Sequence, residues 1–441
     1  MPPPGNTSSD RIYQDYAAAL AGCERLPRAV LTRHCDSLRR DLAAFAYAHS
    51  PFYRERLKPL FRKSDAPDLS AWSEIPLLRR ADLAAHIDRI NPEHVPAHLG
   101  APTIIRTSGT SGSRLAMRTC ALARIAASCM MHRMYRWHGL DLSAPLASIR
   151  YYSSGRRTYP EGETMRQWSF PGPPAEHHMI DIRHPLAQLA EWLCRRKPGY
   201  LLTFPSLAEE LALHHADEIR AQASPQAVIA ISEIVTAKAR QRVREAFGCE
   251  IAQIYACAEM GCIALQWPNS ADSLVCEESV FVEILDEDGN AVGPGETGRV
   301  VLSSFYNYAT PFIRYEIGDY ATRSETSHPH LPHAALKRIE GRRRNALTDS
   351  RGRPVWPSTV LSPELSALMP RGRFQIRQTA PAQIELTWGP EAAGYAPDRI
   401  AIEAYFARLL RSPIRVTPSP VEALARSSGG KHEPVVSEIA A

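Results

Sequence analysis

The chain has 441 residues, 22% of them charged and 44% hydrophobic, with a formal net charge of +5. A polymer of this length buries a large core and is expected to hold more than one domain, and Lys and Arg interspersed with Asp and Glu leave no basic footprint for nucleic acid. No apolar run reaches the roughly 20 residues a bilayer span needs, and Met1-Pro2-Pro3-Pro4-Gly5 is not a basic region followed by an apolar stretch, so no membrane association or secretory leader is expected and the reading is cytoplasmic.

From Asp10 to about Lys63 the pattern is helical, as in Leu38, Leu42, Phe45 and Ala46, predicting helices that cover a core. Ile104-Ile105 then lead into Arg106-Thr107-Ser108-Gly109-Thr110-Ser111-Gly112-Ser113. Its hydroxyls, and glycines that let the backbone come close, make a donor surface suited to a polyphosphate. No Gly-Lys-Ser/Thr follows, so it is not a Walker loop; the competing reading is a solvated turn. A helix is predicted over Leu122 to Trp137, with further helices over Pro185 to Arg196, Ser206 to Ala221 and Ala237 to Phe247. Val228 to Ile231 reads as a buried strand, and another lies around Ile251 before Tyr255. Strand and helix in alternation predict an α/β fold with largely parallel sheets.

After Cys276 the pattern changes to antiparallel β, with Val280 to Leu285, the turn Asp286-Glu287-Asp288-Gly289-Asn290, and Gly298 to Leu302 forming a hairpin. The last hundred or so residues hold a strand at Gln383 to Trp388, a helix from Asp398 to Leu410, a strand at Ile414 to Val416 and a Gly429-Gly430-Lys431 tail. These suffice for a small α+β domain.

Three further segments follow the hydroxyl loop in order: Ile254-Tyr255-Ala256-Cys257-Ala258-Glu259-Met260-Gly261, Thr310-Pro311-Phe312-Ile313-Arg314-Tyr315-Glu316-Ile317-Gly318-Asp319, and Ile339-Glu340-Gly341-Arg342. With the loop they resemble the ordered signatures of the adenylate-forming superfamily of acyl-CoA ligases, luciferases and peptide-synthetase adenylation domains. Ser50-Pro51-Phe52-Tyr53-Arg54-Glu55-Arg56-Leu57 and Ile75-Pro76-Leu77-Leu78-Arg79-Arg80-Ala81-Asp82-Leu83 look like the opening of its phenylacetate-CoA ligase branch. The resemblance runs from about residue 35 to Lys431. It implies a large N-terminal domain, residues 1–341, of β-sheets flanked by helices plus a small antiparallel barrel region. A small mobile C-terminal domain, residues 342–441, would carry the catalytic lysine.

The resemblance implies that a carboxylate attacks the α-phosphorus of ATP, giving an acyl adenylate and pyrophosphate, before the acyl group passes to a thiol such as CoA. Bringing two anions together calls for cations and donors more than for a nucleophile. Thr107, Ser108, Gly109, Thr110, Ser111 and Gly112 would hold phosphates, Glu259 would bind Mg²⁺, Tyr255 and Ala256 would border the adenine, and Asp319 would accept both ribose hydroxyls. By the same resemblance Ser232 and Glu233 would edge the adenine and substrate pockets, Arg342 would lie at the hinge, and Lys431 matches the catalytic lysine. The chain departs from the family at Arg114, in place of the usual Lys, at Ala258, where a hydroxyl is usual, and at Arg344-Asn345, where acidic residues are usual. Each residue has a plainer reading: exposed loop arginine, surface glutamate, core tyrosine, turn aspartate, solvated tail lysine.

Tyr151-Tyr152, Trp168, Phe170 and Phe204 are candidates for an aromatic-acid pocket or for ordinary core, with His177 and His178 nearby in sequence. Nine cysteines, an odd number, argue against a disulfide framework. Relatives place a structural zinc near Cys249, Cys257, Cys262 and Cys276; the irregular spacing fits buried thiols as well. A carrier protein or an amine remains open as acceptor, as do nitrite activation for diazotising an aromatic amine and a nucleotide-binding protein without catalysis.

Overall fold

A computed structural model describes residues 8–106, 115–152, 155–170, 172–326, 328–356, 363–370, 373–424 and 431–439. The chain divides into two compact units, one formed by Met1–Leu142, Ser169–Pro173 and Ile254–Arg338, the other by Ser143–Trp168, Pro174–Gln253 and Ile339–Ala441.

In the first unit the expected helical opening becomes Ser8–Cys23, Arg28–His49, Pro51–Arg56 and Arg80–Ile90. Ser50 ends one helix and starts the next, with Pro51 at the first helical position, where its missing N–H costs nothing. Leu42, Ala46, Tyr53 and Leu57 pack with Phe312 and Tyr315 in one core. Strands Thr103–Arg106 and Ala116–Thr119 pair antiparallel, with Arg106 opposite Ala116, so the hydroxyl loop connects this pair. The expected hairpin of Val280–Leu285 and Thr297–Ser304 is present, and Tyr315–Arg323 pairs antiparallel with the latter. The helix expected from Leu122 is Ala121–Trp137.

The second unit holds parallel strands Leu146–Arg150, His177–Asp181, Tyr200–Thr203 and Ala227–Ala230, the last paired with the start of Glu250–Cys257. Helices Leu186–Arg196, Pro205–His214, Ala216–Gln222 and Ala237–Phe247 bury Trp192, Leu207 and Val243 in a common core with these strands. The single helix expected over Ser206 to Ala221 is two, because His215 leaves helical backbone (φ −134°) and its ring bonds the Glu218 carboxylate at 2.6 Å. Toward the C-terminus, strands Arg415–Pro420, Gln383–Trp388, Phe374–Ala380 and Val435–Ser437 form a four-stranded sheet in that order. Helix Arg399–Leu410, capped by the Asp398 carboxylate on the Ala401 N–H, buries Ile402 and Phe406 with Ile384 and Val416. No described helix is long and apolar enough to cross a membrane.

Candidate functional site

The segment Thr310–Asp319 is tied down by residues distant in sequence. Buried Tyr53 donates its hydroxyl to the Pro311 carbonyl at 2.9 Å and accepts the Ile313 N–H at 3.1 Å. Thr310 donates its hydroxyl to Asn91 Oδ1 at 2.6 Å and accepts the Arg118 N–H. Arg314, 3% exposed, pairs with Glu283 at 3.1 Å and donates to the Ser73 and Ile75 carbonyls. Its own carbonyl accepts the Leu78 N–H, and Glu316 N–H donates to the Leu78 carbonyl. The segments around Tyr53 and Leu78, read from sequence as family signatures, are thus the clamp on the segment that ends in Asp319. Arg314 is a structural member of this motif, its guanidinium consumed inside the protein.

Tyr255 lies near the end of Glu250–Cys257, which pairs antiparallel with Gly261–Gln266. Ala258, Glu259 and Met260 form the turn of that hairpin. Gly261 closes it with φ +76°, and a Cβ there would lie 2.9 Å from the Ala127 Cβ on helix Ala121–Trp137, so glycine is required for both backbone and contact. Tyr255 donates its hydroxyl to Asp319 Oδ2 at 2.9 Å, bringing the two residues assigned to adenine and ribose together. A bond from a phenol to an anionic acceptor is of the stronger kind. Glu259 is 9% exposed and lines a cavity of about 200 Å³ walled on one side by Ala123, Ala126 and Ala127. A single buried carboxylate suits Mg²⁺, which takes one or two carboxylates and leaves its other positions to water and substrate phosphates. Ala256 and Ala258 are exposed and bring no side-chain donor.

In the second unit another set of predicted residues meets. Exposed Ser232 has left-handed backbone (φ 67°). Glu233 accepts the Ser206 N–H at 3.1 Å at the start of helix Pro205–His214, and its other oxygen accepts the His432 N–H at 2.7 Å. This fixes the residue after Lys431 against the Ser232-Glu233 segment. A Cβ on Gly341 (φ +95°) would lie 3.0 Å from Ile234 Cδ1. Arg342 is exposed, and its carbonyl accepts the Trp356 indole N–H at 3.3 Å. Arg344 pairs with Glu433, and Asn345 donates to the Val435 carbonyl at 2.9 Å. The departure at Arg344-Asn345 therefore has a local role: it fastens the segment that carries Lys431.

Thr107, Ser108, Gly109, Thr110, Ser111 and Gly112, with Arg114, lie outside the described residues. The aromatic candidates do not converge on the cavity. Phe204 is core, Tyr151 packs against that core, Trp168 bonds the Ala144 carbonyl and edges Tyr200, and Phe170 edges Tyr13. His177 bonds the Ser148 hydroxyl at 2.7 Å, and burial, helped by the Arg150 charge, lowers its pKa to about 4. His178 bonds the Thr164 hydroxyl, and burial lowers its pKa also. Both rings are neutral structural groups at pH 7.

The zinc alternative finds no support among the described residues. Among the described residues no group of three or more His, Cys, Asp or Glu is placed to hold a metal ion, and all nine cysteines are free. Burial pushes the thiols of Cys249 and Cys262 up to about 12 and raises those of Cys257 and Cys276 well above the ordinary range. Cys249, Cys262 and Cys276 are small buried side chains of the core. Sequence reasoning passed over Thr119, Ser304, Tyr306 and Asn307, which line the cavity opposite the alanines. Their spacing carries no motif, and only the pairing of the strands brings them to the hairpin turn.

Residues 175–308 match the AMP-binding enzyme family. No curated protein matches the chain. Among solved structures, 2-hydroxyisobutyryl-CoA ligase in its postadenylation state, bound to R3-HIB-AMP, superposes with a TM-score of 0.70 at 19% identity, covering 94% of this chain and 91% of that one. The chain has the adenylate-forming fold. An anthranilate CoA ligase bound to anthranoyl-AMP gives a TM-score of 0.54 at 16% identity over 78% of this chain and 68% of that one. A benzoate CoA ligase from Burkholderia xenovorans LB400 gives 0.53 at 15% identity, over 77% and 69%. Within this adenylate-forming fold, the matched segment takes in Ser232, Glu233, Tyr255, Ala256 and Glu259. Asp319, Arg342 and Lys431 lie beyond it.

Proposed function

We propose that this protein is an ATP-dependent ligase of the phenylacetate-CoA ligase type, which adenylates a carboxylic acid and passes the acyl group to CoA. The observation that carries the reading is the 2.9 Å bond from the Tyr255 hydroxyl to Asp319. It sets an aromatic ring and a carboxylate side by side, as a nucleoside needs: the ring would lie along the base and the carboxylate would accept the ribose hydroxyls. The match to the AMP-binding enzyme family and the solved neighbours bound to R3-HIB-AMP and anthranoyl-AMP support it.

Glu259 would hold Mg²⁺, which when bound neutralises charge on the phosphates. Lys431 would place an ammonium where the substrate carboxylate meets the α-phosphate, stabilising the charge of both reacting oxygens. Glu233 positions it by fixing the His432 backbone. With the boundary at Gly341-Arg342, residues 1–341 serve as the large domain. Residues 342–441 swing as the small one between adenylation and thioester formation.

The test is pyrophosphate release from ATP and Mg²⁺ over a panel of aryl, arylacetic and aliphatic acids and nitrite, each with and without CoA or an aromatic amine. Release with an acid, rising with CoA, supports the ligase. Release with nitrite that requires an amine replaces it with diazotisation, and ATP binding with no release from any member replaces it with a binding role.

A further inference from the structure

The cavity of about 200 Å³ beside Glu259 is bounded by helix Ala121–Trp137, by the hairpin turn and by the segment from Ser304 to Asn307. Its volume exists because the helix presents Ala123, Ala126 and Ala127 to it. Met130 and Met260 add adaptable apolar wall. Two polar side chains there are almost wholly buried, and each has a polar atom without a partner among the described residues. Ser304, 4% exposed, has no hydrogen-bond partner for its hydroxyl among the described residues. Asn307, 1% exposed, donates its amide NH₂ to the Arg118 carbonyl at 3.1 Å, and its Oδ1 has no partner among the described residues. Buried polar groups left unpaired are costly, and an amide oxygen can only accept. A ligand with a hydrogen-bonding substituent is therefore favoured against this wall, where the Ser304 hydroxyl can donate or accept.

We propose that this cavity receives the acyl part of the substrate acid, and that the acid is a single ring, or a group of that bulk, bearing a hydroxyl or amino substituent. The inference rests on the adenylation reading above. A cavity of about 150 Å³ takes one benzene, so one ring with a small substituent fills this volume, and fused rings and long chains exceed it.

The experiment measures kcat/KM for pyrophosphate release with benzoate, hydroxybenzoates, aminobenzoates, phthalate, naphthoates and a medium-chain fatty acid. The wild-type protein is compared with Ser304→Ala and Ala123→Leu, and ATP binding by calorimetry establishes that each variant is folded. Hydroxy- or aminobenzoates are expected to be the best substrates. Ser304→Ala is expected to cut their advantage over benzoate by about tenfold, chiefly through KM, and Ala123→Leu to shift preference toward smaller acids. Naphthoate or fatty acid turned over as well as the single-ring acids overturns the cavity assignment, as does a selectivity profile unchanged in both variants. Silence with every acid instead overturns the adenylation reading itself.

Discussion

Replacing Gly261 by Ala tests whether the hairpin carrying Glu259 is seated on helix Ala121–Trp137 as described. The new Cβ meets two obstacles. Left-handed backbone at φ +76° costs a residue with a side chain about 1 kcal/mol. The 2.9 Å approach to the Ala127 Cβ lies well inside the roughly 3.5–4.0 Å of favourable carbon contact, and overpacking of this sort costs about 1–3 kcal/mol. The sum is about 2–4 kcal/mol, measurable as a lowered urea midpoint at unchanged slope. Ala127→Gly removes the steric part. It costs about 1 kcal/mol alone for a glycine inside a helix, but in its presence Gly261→Ala should cost only the backbone share. A double-mutant cycle should therefore show favourable coupling of about 1–3 kcal/mol. A cost below about 0.5 kcal/mol for Gly261→Ala, or strict additivity of the pair, would refute the seating. Pyrophosphate release on the same proteins reads how far displacement of the turn disturbs Glu259.

Lys431→Ala should abolish acid-dependent pyrophosphate exchange while ATP still binds; an unaffected exchange rate would remove the lysine from the mechanism. Arg314→Met strips Glu283 of its ion-pair partner, leaving it the Trp72 indole N–H, and should cost about 3–5 kcal/mol in urea unfolding; a loss under about 1 kcal/mol would show that the clamp on Thr310–Asp319 is not held by this residue. Because the folded protein holds His177 near 4, below its ordinary value of about 6.5, the unfolded chain binds a proton that the folded one refuses between those values. Its contribution is full above about pH 6.5 and falls as pH drops toward about 4, by up to about 3 kcal/mol. His177→Gln should flatten that part of the stability profile, and equal slopes for the two proteins would count against it.

Periodicity and turn chemistry in the sequence were enough for helix Ala121–Trp137, the hairpin after Cys276 and strand Gln383–Trp388, because such elements are decided by neighbours within a few residues. The break at His215 was not legible, since the helical pattern runs on through it. The motifs placed Tyr255, Glu259 and Asp319 in one chemistry, although no local rule joins Tyr255 to Asp319. Their bond exists because Tyr53, Asn91 and Arg314 hold the later segment in place. Arg344-Asn345 illustrates the limit of a motif: read alone it is a departure, and only folding shows Glu433 and Val435 as its partners. The sequence determined which side chains are available and which short stretches are helix or strand. Tertiary structure decided the cavity, because empty space is a property of what several distant segments fail to fill: three alanines on one helix, a glycine-closed turn and two buried polar groups that share no pattern.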